Sequence, residues 1–185
     1  AEVATPAAPV APAINPVVEA VRTKLSDAKA AAAISGDYGD VLKTFYEARS
    51  EPVWLKDGVF NTNATAAIDE IKKADAYGLD AAQFALPDLA SGAAADVQAD
   101  AEIKLSAAVL KYAHHARGGR IDPVALSNIF DMKPPLKDPA VVMTEIAASS
   151  TPDGYLRGLH PKHAQFEKLR LKLGMLRMQS AQIPV

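Results

Sequence analysis

The sequence predicts an all-α protein, an irregular multi-helix bundle with an extended Pro/Ala-rich N-terminal arm. Apolar residues recur at helical spacing through most of the chain, and no alternating strand pattern of useful length is present. Residue pairs that start helices, such as Asp138-Pro139, and pairs that end them, such as Gly118-Gly119, separate these stretches. No internal sequence repeat is evident, so a regular solenoid is not expected.

Composition divides the chain into three parts. Residues 1–15 are mostly proline and alanine, and because proline fixes φ and lacks an amide proton, we expect an extended polyproline-like arm. Residues 16–178 contain the helical domain. Residues 179–185 form a tail or the start of a linker to further modules.

The first two predicted helices precede a turn. Asn15-Pro16 supplies an N-cap and a first-turn proline, and Gly36 is expected to end the helix that follows. Asp37 is expected to cap the second helix, and Pro52 ends this helical region. Asp57-Gly58 indicates a tight turn. The apolar positions of the second helix are Tyr38, Val41, Leu42, Phe45 and Tyr46.

A third helix and a short helical turn follow. Thr62 or Asn63 is the predicted N-cap of the third helix, and Gly78 is placed just beyond its end. A single turn of helix is expected over residues 79–84, before Pro87. The inward positions of the third helix are Ala64, Ala67, Ile68, Ile71 and Ala74.

The longest predicted helix runs from about Asp96 to Arg117 and ends at Gly118-Gly119. Its buried face is expected to carry Ala101, Leu105, Ala108, Val109 and Tyr112. Further helices are predicted to start at four cap-and-proline pairs, Asp122-Pro123, Asp138-Pro139, Thr151-Pro152 and His160-Pro161.

The last predicted helix, from Pro161 to about Met178, has two apolar faces. A terminal helix of this kind is usually covered on both sides. Either the helix inserts deeply into its own bundle, or its second face binds a partner. One face carries Phe166, Leu169, Leu173 and Leu176, and the other carries Leu171, Met175 and Met178.

Charge and cysteine content exclude several functions. The formal net charge is −2 and the pI is near 6.1, so the chain as a whole does not indicate a nucleic-acid partner. Acids prevail over residues 62–102 and bases over residues 155–185, and each cluster is interpreted as a solvated helix face. Since the chain has no cysteine, it cannot form a disulfide, a zinc–thiolate site or a thiolate nucleophile.

The amino terminus indicates the compartment. Ala1-Glu2-Val3-Ala4 has no initiator Met and begins with a small residue, as signal peptidase would leave it. No apolar run reaches the roughly 18 residues that a transmembrane helix needs. We therefore expect a periplasmic protein with no transmembrane segment.

Four motifs occur in order along residues 38–173. The first is Phe-Tyr-x-x-Arg-x-x-Pro-x-Trp over residues 45–54, which includes the single tryptophan of the chain. The second is Ala-x-x-x-Gly-Leu-Asp over residues 74–80. The third is Tyr112-Ala113 followed by Gly-Arg-x-x-Pro over residues 119–123, and the fourth is Leu-x-Pro-x-x-x-x-Phe-x-x-Leu over residues 159–169.

Together these motifs resemble the helical scaffold domain of the large, periplasmic YcbB-type L,D-transpeptidases, with Phe166 replacing the family's Tyr. The resemblance implies that a parent enzyme would cross-link peptidoglycan by acyl transfer through a cysteine thioester, forming 3→3 cross-links. The Ser-His-Gly-Cys-type motif of the YkuD-like catalytic domain is absent from this sequence. The peptidoglycan-binding module usually found beside the scaffold is absent too.

Three functions are therefore considered. The first hypothesis is that the chain is a non-catalytic scaffold domain whose partners are the missing catalytic and peptidoglycan-binding modules of the same polypeptide. Alternatively, it is a stand-alone interaction subunit of a periplasmic or envelope assembly that binds another envelope protein. A third hypothesis is a plain peptidoglycan-binding module.

The histidines give a weak indication of a metal site. His114 and His115 point about 100° apart on a helix, so they cannot ligate one ion together. His163 and Glu167 are four residues apart and can pair, but His160 is expected to cap the last helix instead. We predict no catalytic, cofactor-binding or metal-binding residue.

Aromatic and arginine side chains are the remaining candidates. Tyr46, Trp54 and Tyr112 either line a groove for glycan or peptide or, as is more common at helical spacing, belong to the core. Arg49 and Arg120 are plausible buried or interface partners for carboxylates and are expected to hold loops at helix ends. The candidate interface residues are Trp54, Tyr46, Arg49, Arg120, Leu171, Met175 and Met178.

Overall fold

A computed structural model describes residues 14–121, 123 and 133–181. Over these residues the regular secondary structure is helical apart from one small hairpin, which confirms the predicted all-α class. Most of the predicted arm, the helix predicted after Asp122-Pro123 and the last residues of the predicted tail lie outside the described residues.

The described elements are short helices, one long helix and a small hairpin. Three 3-10 turns cover Gly36–Tyr38, Ala74–Tyr77 and Ala81–Gln83. The two strands are β1 (Leu55–Lys56) and β2 (Val59–Phe60). The α-helices are α1 (Pro16–Ser26), α2 (Ala28–Ser35), α3 (Gly39–Glu47), α4 (Thr62–Lys72), α5 (Ala95–Ala116), α6 (Pro139–Ala148), α7 (Pro152–Gly158) and α8 (Ala164–Ala181).

Helix α5 runs through the centre of the bundle. It packs against α1, α2, α3, α4 and α6, so its apolar residues supply much of the core. The prediction of a long helix from about Asp96 to Arg117 is confirmed to within one residue at each end. Its predicted inward residues are all buried: Ala101, Leu105, Ala108, Val109 and Tyr112.

The first predicted helix is two helices, so the prediction of one helix up to Gly36 was wrong. Asp27 interrupts it with extended backbone, at φ −88° and ψ 108°. Its carboxylate accepts hydrogen bonds from the amides of Lys29 at 2.8 Å and Ala30 at 3.1 Å. A short acidic side chain competes with the helix for these amide protons, so α1 ends there and α2 begins.

Two predicted caps were displaced. Asp37 lies in a 3-10 turn and does not cap α3, which has no side-chain cap. Helix α4 is capped by Asn61, whose Oδ1 accepts from the Ala64 amide at 2.8 Å, and not by Thr62 or Asn63. Each correction is small because several Asp, Asn and Thr residues near a helix start can all serve as caps.

Two predicted helix starts are confirmed, and one predicted helix end is shifted. Asn15 accepts from the Val17 amide at 3.0 Å at the start of α1, and Asp138 caps α6 from the residue before its proline. Gly78 was predicted just beyond the third helix, but α4 ends at Lys72 and Gly78 instead ends the 3-10 turn that follows it, in the left-handed region at φ 76°. Glycine adopts that conformation without the steric penalty of a Cβ atom.

The predicted turn at Asp57-Gly58 closes an antiparallel hairpin. Leu55 pairs with Phe60 and Lys56 with Val59, with φ values of 52° at Asp57 and 78° at Gly58. Two successive positive φ values are those of a type I′ turn, which suits the twist of a two-residue hairpin. The hairpin begins at Leu55, directly after Trp54.

Helix α8 starts later than predicted and lies outside the bundle. His160-Pro161 does not start the helix. The first backbone hydrogen bond is donated by the Phe166 amide to the His163 carbonyl oxygen, at 2.9 Å. Most of its side chains are exposed, so the alternative of deep insertion into its own bundle was wrong. It contacts the domain mainly at the Ala74–Tyr77 turn.

Candidate functional site

Tyr46 and Trp54, proposed from the sequence as groove or core residues, are both fully buried. Trp54 Nε1 donates to Ser106 Oγ at 2.8 Å, and the Tyr46 hydroxyl donates to Glu102 Oε1 at 2.9 Å. Because Tyr46 has a single hydroxyl proton, Ser106 donates to Tyr46 across their 2.8 Å contact. The two rings therefore belong to an interior hydrogen-bond chain, with no exposed surface for a partner.

Glu102 is the centre of that chain. Its carboxylate accepts hydrogen bonds from the backbone amides of Val53 and Trp54 and from the Tyr46 hydroxyl. Burial raises its pKa from 4.5 to about 7, although these donors oppose the shift. The contacts fix the segment before the hairpin against α5.

Sequence reasoning missed Glu102 because it read the acids of residues 62–102 as a solvated face. The detectable signal is its register, since Glu102 lies three residues before Leu105 and seven before Val109. These spacings put it on the inward face of α5. A carboxylate in that register needs an interior partner.

Arg22 and Arg49 act at the end of α3. The Arg22 guanidinium donates to the carbonyl oxygens of Tyr46 at 3.0 Å, Glu47 at 3.0 Å and Arg49 at 2.7 Å. Arg22 therefore holds the end of α3 through backbone carbonyl oxygens, whereas the sequence indicated Arg49 at this helix end as a partner for a carboxylate. Arg49 lies over the Phe45 ring, 5.2 Å from its centroid.

Arg120, the other predicted loop-holding arginine, lies at the surface. Its Nη1 is 3.5 Å from the Gly78 carbonyl oxygen, a long and weak contact. Within the described part of the chain, Arg120 makes no ion pair with a carboxylate. The ion pair between α4 and α7 is made instead by Glu70, which is buried, and Arg157 at 2.8 Å.

His160 is buried in a stack of rings that joins α8 to the domain. Its ring lies 4.1 Å from that of Tyr77 at an interplanar angle of 10°, and 5.9 Å from that of Phe166 at 16°. Its Nε2 is 2.7 Å from the Tyr112 hydroxyl oxygen. Burial lowers its pKa to about 4, so the ring is neutral at physiological pH.

The other histidines are placed individually. His114 and His115 line a surface depression of about 370 Å³ with Lys111, and burial lowers the pKa of His115. His163, just before α8, accepts at Nδ1 a hydrogen bond from the Gln165 amide at 3.3 Å, and Glu167 pairs with Arg170. Over residues 14–121, 123 and 133–181, no three His, Asp or Glu side chains converge as metal ligands.

Five exposed apolar residues lie on the outer side of α8. Its exposed apolar side chains have between 49% and 70% of their area open to solvent. They include three residues predicted as interface candidates, Leu171, Met175 and Met178. The set is completed by Leu169 and Leu176.

None of the described helices has the length and apolarity that crossing a bilayer requires.

The fold and the polar groups define a class of protein. It is an all-α domain whose described buried acids, tyrosines and histidine are bound by other groups of the protein, and whose exposed terminal helix is rich in apolar residues. The sequence model of the Scaffold domain family matches residues 40–173, and the chain belongs to that family. No curated protein matches the chain, and no solved structure does.

Proposed function

We propose that the chain is the non-catalytic scaffold domain of a periplasmic L,D-transpeptidase. The observation that carries the proposal is the family match over residues 40–173, which contains all four motifs, from Phe45 to Leu169. Those motifs are the ones that resemble the YcbB-type enzymes. In this role the domain positions a cysteine-containing catalytic domain for peptidoglycan cross-linking.

The interior chemistry supports a structural role. Glu102 binds backbone amides, Glu70 pairs with Arg157, and His160 is neutral between aromatic rings. A general base or nucleophile must instead face a substrate with a matched pKa. These three groups are enclosed and fix helices to one another.

The reading frame beyond the Val185 codon tests the proposal. We expect it to continue into a domain with a Ser-His-Gly-Cys-type motif. An in-frame deletion of codons 16–178 should then abolish 3→3 cross-links in isolated sacculi while the catalytic domain remains expressed. A stop codon directly after Val185 would refute the parent enzyme.

A stand-alone interaction subunit is the second candidate, and the exposed apolar face of α8 favours it. Intact mass of the native protein separates the two, since a subunit has the mass of this chain and an enzyme a larger one.

For the third hypothesis, peptidoglycan binding, retention of the purified chain on sacculi at low salt is the test. Absence of retention would dispose of it.

A further inference from the structure

Helix α8 contacts the domain through one side only. Phe166 stacks beside His160, and Leu173 lies against Gly78. Arg170 lies over the Tyr77 ring, 5.7 Å from its centroid. At 100° per residue, the α8 residues in these contacts fall within one narrow sector of the helix.

The opposite half of α8 has a definite pattern. Lys168 and Lys172 are one turn apart and form a row along its middle. Leu169 and Leu176 lie on one side of this row, and a ridge of Leu171, Met175 and Met178 lies on the other. We call this surface, made of these seven residues, the outer face. All seven are exposed.

The outer face has only positive charges. The one acid of α8, Glu167, is held by Arg170 on the inner side, with Nη2 and Oε2 2.9 Å apart. Arg177 is also directed inward, where it donates to the Asp75 carbonyl oxygen. The lysines therefore remain as the charged groups that a bound partner would meet.

We propose that the outer face binds an amphipathic α-helix of another polypeptide segment whose apolar stripe is accompanied by acidic residues. The ridge of Leu171, Met175 and Met178 has the four-then-three spacing that packs against a second helix. Carboxylates beside that stripe would pair with Lys168 and Lys172. Methionine side chains adapt readily to the shape of such a partner.

Charge complementarity selects this occupant over two others. In a pairing of two copies through their outer faces, the lysine rows would oppose each other, and like charges at close range are destabilising. A bilayer is disfavoured because the lysines lie in the middle of the apolar sector, whereas membrane-surface helices keep their cations on the opposite, polar face. The proposal rests on the scaffold role above, since it names the chemistry of the partner that the domain holds.

The test uses three synthetic fluorescent peptides of about three heptads each. The first has Leu at positions a and d and Glu at e and g. The second replaces every Glu by Lys, and the third keeps Glu but replaces every Leu by Ser. We expect saturable binding of the first peptide alone in fluorescence anisotropy, and its affinity should fall as salt is raised.

Variants of the outer face locate the binding. The double substitution Leu171→Ser with Met178→Ser should weaken binding of the Glu peptide by about tenfold or more, because apolar burial drives the contact. Lys168→Glu with Lys172→Glu should abolish the preference for Glu over Lys. Val97→Ser, at an exposed valine on α5, is the matched control and should leave binding unchanged.

Several results would overturn the proposal. Equal binding of the Glu and Lys peptides, or no saturable binding, would refute it. So would retention on phosphatidylglycerol vesicles, or dimerisation in sedimentation, that depends on Leu171 and Met178. Circular dichroism establishes that each variant is folded. Because all measurements use the purified chain, their failure is independent of the reading-frame test of the parent enzyme.

Discussion

The buried carboxylate of Glu102 should make the free energy of unfolding depend on pH, and one substitution should remove that dependence. Glu102→Gln keeps the size and one carbonyl oxygen of the side chain, so the amides of Val53 and Trp54 retain an acceptor. The substituted side chain cannot titrate. Comparing the two proteins across pH therefore isolates the ionisation of this one group.

The magnitude follows from the pKa. Burial raises the pKa of Glu102 from 4.5 to about 7, so between these values the folded protein holds a proton that the unfolded chain has released. The free energy of unfolding then falls as pH rises through this window. At about 1.4 kcal/mol per pH unit, the loss amounts to about 3 kcal/mol.

Urea unfolding, monitored by Trp54 fluorescence at pH 5 and pH 8, measures the effect. We expect the wild type to lose about 2–3 kcal/mol relative to Glu102→Gln between the two pH values. Both proteins contain His160, so its titration cancels in the difference. A wild type that instead gains stability relative to the variant at pH 8 would refute the reasoning, because the three donors would then outweigh desolvation.

Three further predictions concern the core and its ion pair. Trp54→Ala should cost about 3–5 kcal/mol by thermal circular dichroism, and unchanged stability with lost partner binding would place the ring at an interface. Arg157→Met should cost about 1–3 kcal/mol because it leaves the buried Glu70 carboxylate without its cation, and adding Glu70→Gln should restore part of that stability. His160 has its pKa lowered to about 4, so as pH drops from 6.5 towards 4 the wild type should lose stability relative to His160→Phe, which retains Glu102 and therefore cancels its opposite contribution. His160→Phe should lack that loss, and an identical acid profile in the variant would contradict it.

Helix periodicity predicted the bundle well because burial of one face depends on spacing alone. The apolar stripe of α5 is buried residue for residue, and Leu42 and Tyr46 of α3 are also buried. Their registers follow directly from the 3.6-residue repeat. The all-α class and the bounds of the long helix could therefore be predicted from the sequence.

Helix breaks and caps were less predictable because they depend on competition between neighbouring polar side chains. The apolar pattern alone predicts one helix here. Asp27 interrupts it because its side chain accepts hydrogen bonds from two backbone amides. Asn61 was preferred over Thr62 and Asn63 as a cap. Such choices differ by about 1 kcal/mol or less, which tertiary packing readily decides.

The polar interior was the least predictable part because each contact joins residues far apart in sequence. Arg22 reaches carbonyls 24 to 27 residues away, and Glu102 reaches the Val53 amide across 49 residues. Neither partnership has a local sequence pattern. The exposure of Leu171 was an open alternative, since two apolar faces fit an inserted helix and a docked one equally well.

The link between Glu102 and the Val53–Trp54 amides has a consequence for the order of folding. Closing a loop of 49 residues costs chain entropy before the contact is made, whereas α5 can form from contacts within itself. We therefore expect the hairpin segment to dock onto a helix that has already formed. In refolding, Trp54 fluorescence should then change later than the far-ultraviolet circular dichroism signal of the helix.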